Sequence, residues 1–176
     1  MRAIIPFFFI LTYLISQNTN DPFPLSEHLK PFSSYVGKTY KGKFTHSTQE
    51  KPAYDISRWE RALNGNAIRI LHSVNNGEYG GESIIMWDSE RESLASWYFT
   101  TAGFYTMSTF EFDGERLIGL EDVSGNQNGI TKVKTIIQLL PDGKLQNRSK
   151  YFMKNVWVDG HEIYYQEAPD AKVVFK

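Results

Sequence analysis

The strongest constraint on the fold is the short spacing of the strand-like segments between Gly80 and Gly119. This stretch contains three runs rich in β-branched and aromatic residues, Glu82–Asp88, Leu94–Thr101 and Phe104–Phe112, and turn-forming residues such as Asp113-Gly114 separate the last of them from a fourth run that opens at Arg116. A parallel connection needs a crossover of about a dozen residues, usually a helix, and no gap here is that long. The stretch therefore predicts an antiparallel meander.

The same pattern continues on both sides of this stretch. Asn64-Gly65-Asn66 is the strongest hairpin signal, because Asn-Gly readily supplies the positive φ values of a type I′ turn. Lys144–Val158 alternates cleanly and is predicted to be one long strand, with Asp159-Gly160 as the turn after it. The remaining strands are predicted at Thr39–His46, Tyr54–Leu63, Ala67–Val74, Arg116–Asp122, Ile130–Leu140 and Glu162–Gln166.

The number of strands and the short loops favour a closed barrel. About ten antiparallel strands in one domain must protect their edges, and loops this short do not allow the long connections of a Greek-key sandwich. A short helix from Ser26 to Tyr35, ended by Gly37, is predicted to plug one end. We predict an all-β fold, an antiparallel up-and-down meander barrel of about eight to ten strands with a short N-terminal helix and room for one small ligand.

Three segments resemble a bacterial protein family. They are Phe32–Tyr40, the segment from Trp59 to Asn66, and Tyr79–Asp88. In this order they resemble the aromatic first strand, the Asn-Gly hairpin and the Gly-rich fourth strand of DUF1579-type lipocalin-like proteins, although Tyr40 stands where Trp is usual. The resemblance covers most of residues 30–125. It implies a calycin-like barrel and brings no catalytic residues.

The N-terminus has the pattern of a secretory signal peptide. Met1-Arg2 is followed by the apolar run Ala3–Ile15, then by Ser16 and several polar residues. The run is shorter than the roughly 20 residues of a membrane-spanning helix. We predict cleavage near Ser16, a secreted or periplasmic location and no stable membrane span after cleavage; a retained N-terminal anchor is the alternative. The predicted division is a signal peptide at 1–16, a linker at 17–25, the barrel at 26–168 and a loosely held tail at 169–176.

Composition excludes several kinds of site. The chain has no cysteine, which rules out disulfides, thiolate metal sites and a Cys nucleophile. Its 19 basic residues are balanced by 20 acidic ones, so no basic field is available for nucleic acid. No metal site is predicted, because no HxH or HExxH spacing occurs, and there is no GxSxG nucleophile elbow. No cofactor is predicted, and haem bound by His161, in the predicted turn, is kept as the alternative.

His72 is the residue most suggestive of chemistry. It shares one face of its predicted strand with apolar residues and should point into the barrel. It is either a core histidine held by a neighbour such as Glu82, Tyr79 or a water, or a general base or haem ligand. Glu82 and Glu121 are the candidate acids if they point inward, because burial raises a carboxyl pKa. On alternating strands they otherwise face solvent or pair with a basic residue such as Arg69.

Aromatic residues make up 15% of the chain, which is too many to lie only on the surface, and they predict an interior lined by rings. The first hypothesis is an exported barrel that binds a small hydrophobic or aromatic molecule. The alternatives are a small-molecule lyase or isomerase that uses His72 and an inward Glu, and a scaffold or stress-related protein with a filled barrel. The predicted ligand-binding residues are Trp59, His72, Trp87, Trp97, Phe99, Tyr151, Asn155 and Trp157.

Overall fold

A computed structural model describes residues 24–123 and 129–176 of the chain. The strands are β1 (Thr39–Phe44), β2 (Tyr54–Ala62), β3 (Ala67–Val74), β4 (Tyr79–Asp88), β5 (Ser93–Thr100), β6 (Tyr105–Asp113), β7 (Arg116–Asp122), β8 (Ile130–Leu139), β9 (Leu145–Met153) and β10 (Val156–Glu167). Each strand pairs antiparallel with the next, and β1 pairs with β10 to close the barrel. The predicted all-β meander barrel is confirmed. The predicted signal peptide and most of the predicted linker lie outside the described residues.

One end of the barrel is filled by a 3₁₀-helix, Glu27–Ser34. Its side chains Leu29 and Phe32 are fully buried, and the Phe32 ring meets Phe112 of β6 edge-on with 5.0 Å between centroids. Ser26 precedes the helix as predicted, but its side chain makes no capping hydrogen bond. Within the described residues, no helix has both the length and the apolar character needed to cross a membrane.

The prediction of one long strand over Lys144–Val158 is wrong. Lys154 and Asn155 have φ values of 50° and 62° and form the turn that joins β9 to β10. Two successive positive φ values match the right-handed twist of a hairpin, and Asn tolerates this conformation better than most residues. The predicted turn at Asp159-Gly160 instead lies inside β10, where the pairing register with β9 shifts.

The C-terminal tail, predicted to be loosely held, packs on the outer wall of the barrel. The Val174 N–H donates a hydrogen bond to the Ser73 hydroxyl at 3.1 Å, and Ser73 is only 2% exposed. The Phe175 ring lies over Gly80 of β4, close enough that a Cβ there would approach it to 3.2 Å. The tail therefore covers part of the outer face of β3 and β4.

Candidate ligand site in the barrel interior

The barrel encloses a cavity of about 430 Å³. Its apolar wall consists of Phe44, Trp59, Ile70, Val74, Ile85, Phe110, Ile137, Leu145 and Ile163. Its polar wall consists of Asp55, Ser57, His72, Tyr79, Ser83, Ser96, Tyr98, Ser108, Glu121, Thr135, Asn147, His161 and Tyr165. The interior thus combines apolar side chains with a larger set of polar ones.

Small hydroxyl residues explain why the barrel is not filled by its own side chains. Ser96 of β5 lies directly opposite Ser108 of β6, and Gly119 of β7 lies opposite Thr135 of β8. All four residues line the cavity, and none projects a large side chain toward the barrel axis. A barrel of about this strand number is otherwise just wide enough for side chains to fill it. The cavity is therefore a consequence of residue size at these inward positions.

His72 is held by a chain of hydrogen bonds along the cavity wall. Its Nδ1 lies 2.9 Å from Asp55 Oδ1, and its Nε2 lies 2.7 Å from the Tyr98 hydroxyl. The Tyr98 hydroxyl lies 3.1 Å from that of Tyr79, and Tyr165 donates a hydrogen bond to the other Asp55 oxygen at 2.7 Å. His72 faces inward as predicted. Its partners are Asp55 and Tyr98 rather than Glu82 or a direct bond to Tyr79.

Burial fixes the protonation of the two inner phenols. Asp55 is 2% exposed and Tyr165 is 3% exposed. Removal from water raises the pKa of Tyr98 and of Tyr165 well above the usual value, because a buried phenolate loses its hydration. Both phenols therefore keep their protons at neutral pH and act as hydrogen-bond donors.

A glycine makes room for the contact between Tyr98 and His72. Gly81 of β4 lies opposite His72 on one side and Thr100 on the other. A Cβ at Gly81 would overlap with the Tyr98 ring and with the Phe99 carbonyl oxygen. The absence of a side chain therefore allows the Tyr98 ring to lie across β4 and reach His72, as glycines do where a ring approaches a strand closely.

His161 belongs to a second polar group in the same wall. It was predicted in a turn but lies inside β10, where its Nδ1 is 2.8 Å from the Tyr151 hydroxyl and 3.0 Å from the Ser149 hydroxyl. Burial lowers the pKa of His161, so its ring is neutral at neutral pH. Among the described residues, no group of three or more potential ligands is arranged around a metal site. Haem ligation by His161 stays an untested alternative.

The two candidate glutamates have different surroundings. Glu121 lines the cavity, and burial raises the pKa of its carboxyl while a hydrogen bond with Thr106 opposes that shift. Glu82 instead pairs with Arg69 through two bonds of 2.8 Å on the outer face of the barrel. Only Glu121 is therefore placed to act on a molecule in the interior.

Two polar atoms in the cavity wall have no hydrogen-bond partner within the described residues. They are the indole Nε1 of Trp59, a donor, and the amide Oδ1 of Asn147, an acceptor. Buried polar groups normally find a partner, and an unpartnered one costs about 1–3 kcal/mol. Both residues line the cavity, but these two atoms are themselves inaccessible to water, so they are unsatisfied groups within the wall rather than contacts for a molecule in the cavity.

The predicted ligand-binding residues divide into an inner and an outer set. Trp59 and His72 line the cavity, and Tyr151 supports His161. Trp87 lies at the helix end of the barrel, stacked on His28 with 3.6 Å between ring centroids. The prediction is wrong for the other four residues, which do not line the cavity. They lie on the outer face or in a turn: Trp97, Phe99, Asn155 and Trp157.

The wrong placement of Trp97 and Phe99 has a simple cause. Successive side chains of a strand point to opposite faces, and β5 has rings on both. Ser96 and Tyr98 line the cavity, so Trp97 and Phe99 point outward, and Phe99 is 49% exposed.

Three residues of the site were not predicted from the sequence: Asp55, Tyr98 and Tyr165. Asp55 is two residues before Ser57 and four before Trp59, so the strand period places all three on one face.

The fold and the cavity define a class, a closed ten-stranded antiparallel meander barrel with a ligand-sized interior. No model of a known protein family matches the chain, and no curated protein is similar to it. The resemblance to DUF1579-type lipocalin-like proteins therefore stays a prediction.

Proposed function

We propose that this protein binds one small amphipathic molecule, aromatic or otherwise apolar over most of its surface, in the barrel interior. The observation that carries the proposal is the cavity of about 430 Å³. Ligand sites commonly have volumes of about 300–1,000 Å³ and combine apolar walls with a few polar groups that fix orientation. A barrel filled by its own side chains, as the scaffold hypothesis requires, is not supported by this cavity.

The wall suggests how such a ligand is held. Ile70, Ile85 and Ile137 offer aliphatic surface, and Phe110 offers a ring, so binding is driven by removing apolar ligand surface from water. The polar end of the ligand would meet groups such as the Tyr79 hydroxyl. Because Asp55, Tyr165 and His72 already satisfy one another, that part of the wall is rigid before a ligand arrives, which lowers the entropy cost of binding.

Two neighbouring positions of β6 allow a matched test of interior binding. Ser108 lines the cavity, whereas Thr109 is exposed and lies opposite Ala95 on the outer face. We expect Ser108→Leu to fill the cavity and weaken binding of a neutral fluorescent probe, N-phenyl-1-naphthylamine, by about tenfold or more. We expect Thr109→Leu to leave binding unchanged.

The natural ligand is sought directly. Native mass spectrometry of the purified mature protein is expected to show a co-purified small molecule that Ser108→Leu lacks. Equal probe binding by both leucine variants would place the probe elsewhere. No binding by the wild-type protein, with no co-purified molecule, would refute the proposal.

A second candidate function is proton-transfer catalysis, as in a lyase or isomerase. It is favoured by the raised pKa of Glu121, since a perturbed carboxyl in a cavity is a frequent feature of active sites. Both nitrogens of His72 are already hydrogen-bonded, so His72 would act through Tyr98 rather than on the substrate itself. Chemical conversion of the co-purified molecule by the wild type, lost in Glu121→Gln, would support catalysis over carriage.

We propose that binding takes place outside the cytoplasm. The support is the apolar N-terminal run Ala3–Ile15 with its polar exit, together with a fold that contains no cysteine and therefore does not depend on the redox state of its compartment.

A further inference from the structure

We propose that the molecule bound in the interior is a small organic amine whose ammonium group pairs with the Glu121 carboxylate. This inference rests on the proposed binding function and names the class of ligand. It is drawn from the charges and the rings that the cavity presents.

The cavity wall contains acidic side chains without a matching basic one. Asp55 and Glu121 both line it, and no Lys or Arg is among the lining residues of the described chain. His72 is the partner of Asp55, so that pair carries a charge of zero or minus one. Burial keeps His161 neutral at neutral pH. The interior therefore carries no net positive charge, and ionised Glu121 makes it negative.

Asp55 does not need a ligand to satisfy its carboxylate. Both of its oxygens have a partner, with His72 at 2.9 Å and Tyr165 at 2.7 Å. It is also 2% exposed, so a ligand would have to displace one of these buried partners to reach it. Asp55 is therefore part of the supporting wall rather than the point of contact.

Glu121 is placed differently. Its cross-strand neighbours are Ser108 on β6 and Val133 on β8, neither of which carries a charge. Thr106 gives it one hydrogen bond. The nearby cation Lys132 pairs with Asp122 at 2.7 Å on the outside of the barrel. Glu121 is half-buried and has no counter-charge among the described residues, which disfavours its ionised form, and a cation inside the cavity would offset that cost.

Another feature of the wall suits an ammonium group. The rings of Tyr98 and Phe110 face the same space, and aromatic rings attract cations within about 6 Å. The unpartnered N–H of Trp59 is inaccessible within the wall and uncharged, so it does not neutralise Glu121. A carboxylate ligand, by contrast, would meet a second carboxylate with no cation between them.

The test compares three probes that share one body and differ in the head group. They are 2-phenylethylamine, 2-phenylethanol and 3-phenylpropanoate, titrated by calorimetry at about pH 8, where the amine is charged. We expect the amine to bind about tenfold or more tightly than the alcohol, because charge-assisted hydrogen bonds are about twice as strong as neutral ones. We expect the propanoate to bind more weakly than the alcohol.

Glu121→Gln is the test variant and Glu82→Gln is the matched control on the outer face. We expect Glu121→Gln to abolish the preference for the amine while alcohol binding changes by less than about twofold. Glu82→Gln should keep the preference. For the wild type, amine affinity should fall as the pH is lowered, because the raised pKa of Glu121 leaves it protonated over a wider range than an exposed glutamate.

The outcomes separate this inference from the proposed function. Equal binding of amine and alcohol, or a preference that survives in Glu121→Gln, would overturn the amine proposal while leaving interior binding intact. Failure of all three probes and of the neutral naphthylamine to bind would overturn both.

Discussion

Two buried tyrosines should respond differently to the same substitution. Tyr40 is 1% exposed and Tyr165 is 3% exposed, so their packing is comparable. The Tyr165 hydroxyl donates to Asp55 at 2.7 Å, whereas the Tyr40 hydroxyl has no hydrogen-bond partner in the part of the chain that the structure covers. Tyr→Phe removes only the hydroxyl group. The two substitutions therefore separate the contribution to stability of a hydrogen-bonded hydroxyl from that of a hydroxyl without a partner.

The expected changes follow from the partners left behind. Tyr165→Phe leaves one oxygen of the buried Asp55 carboxylate unpaired, and a hydrogen bond to a charged group contributes about 1.5–3 kcal/mol. Tyr40→Phe removes a hydroxyl that lost its hydration on folding and gained nothing, so stability at neutral pH should be unchanged or higher by about 1 kcal/mol. For a domain of this size, about 2 kcal/mol corresponds to a shift in Tm of about 4–8 °C.

The assay is urea and thermal unfolding of three variants beside the wild type. The control is Tyr164→Phe, because Tyr164 is 40% exposed and donates to Glu162 at 3.0 Å on the outer face, where the loss should stay within about 0.5 kcal/mol. The expected order of Tm is Tyr40→Phe at or above the wild type, then Tyr164→Phe, then Tyr165→Phe. A loss for Tyr40→Phe as large as that for Tyr165→Phe would refute the reasoning.

The same tyrosine predicts an alkaline signature. Burial raises the pKa of Tyr40 from 10.0 to about 12, so the folded state holds this proton more tightly than the unfolded chain does. The contribution of this tighter proton binding to the free energy of unfolding is fully present below pH 10.0 and is lost as the pH rises through about 12. Stability should therefore fall less steeply over this range in Tyr40→Phe than in the wild type, and parallel slopes would contradict the assignment.

Three further outcomes are expected. Gly81→Ala should push the Tyr98 ring away from His72 and destabilise the protein by about 1–3 kcal/mol, with a changed His72 ring signal in NMR spectra; an unchanged signal would contradict the packing described. Burial raises the pKa of Glu121 above 4.5, so its effect on stability is absent below that pH and unfavourable above it. Glu121→Gln should therefore be more stable than the wild type to urea at about pH 7 and equally stable at about pH 4. A gain in stability that is larger at pH 4 than at pH 7 would contradict a raised pKa for Glu121. Mass spectrometry of the exported protein should show cleavage near Ser16, and an intact N-terminus would support a retained anchor instead.

Local patterns were sufficient to predict the architecture. Alternation and turn residues located β1 to β8, and the short gaps ruled out crossovers, so the meander and its closure followed. The strand period also placed His72 and Trp59 on the inner face. What alternation does not decide is which face is inner when both carry rings, as in β5. There the smaller Ser96 faces the cavity and Trp97 faces outward, against the expectation that large apolar residues are buried.

The polar chain in the wall depends on contacts between residues far apart in sequence, which no local pattern reveals. Tyr165 and Asp55 are 110 residues apart in sequence and meet only because β10 and β2 both flank β1. Tyr98 reaches His72 only because the intervening strand has Gly81 at the crossing point. The turn at Lys154 and Asn155 was missed because neither residue is glycine, although Asn adopts positive φ more readily than most.

Tyr98 has one hydroxyl hydrogen but two hydrogen-bonding neighbours, His72 and Tyr79. The direction of these hydrogen bonds determines which groups the wall presents to a ligand. When the imidazole is neutral with its hydrogen toward Asp55, Tyr98 donates to Nε2, and Tyr79 must donate to Tyr98, which leaves only lone pairs turned to the interior. When Nε2 carries a hydrogen, Nε2 donates to Tyr98, both phenols reverse, and Tyr79 offers its O–H inward. The position of one hydrogen on the His72 ring thus determines whether Tyr79 presents a donor or only an acceptor to the interior.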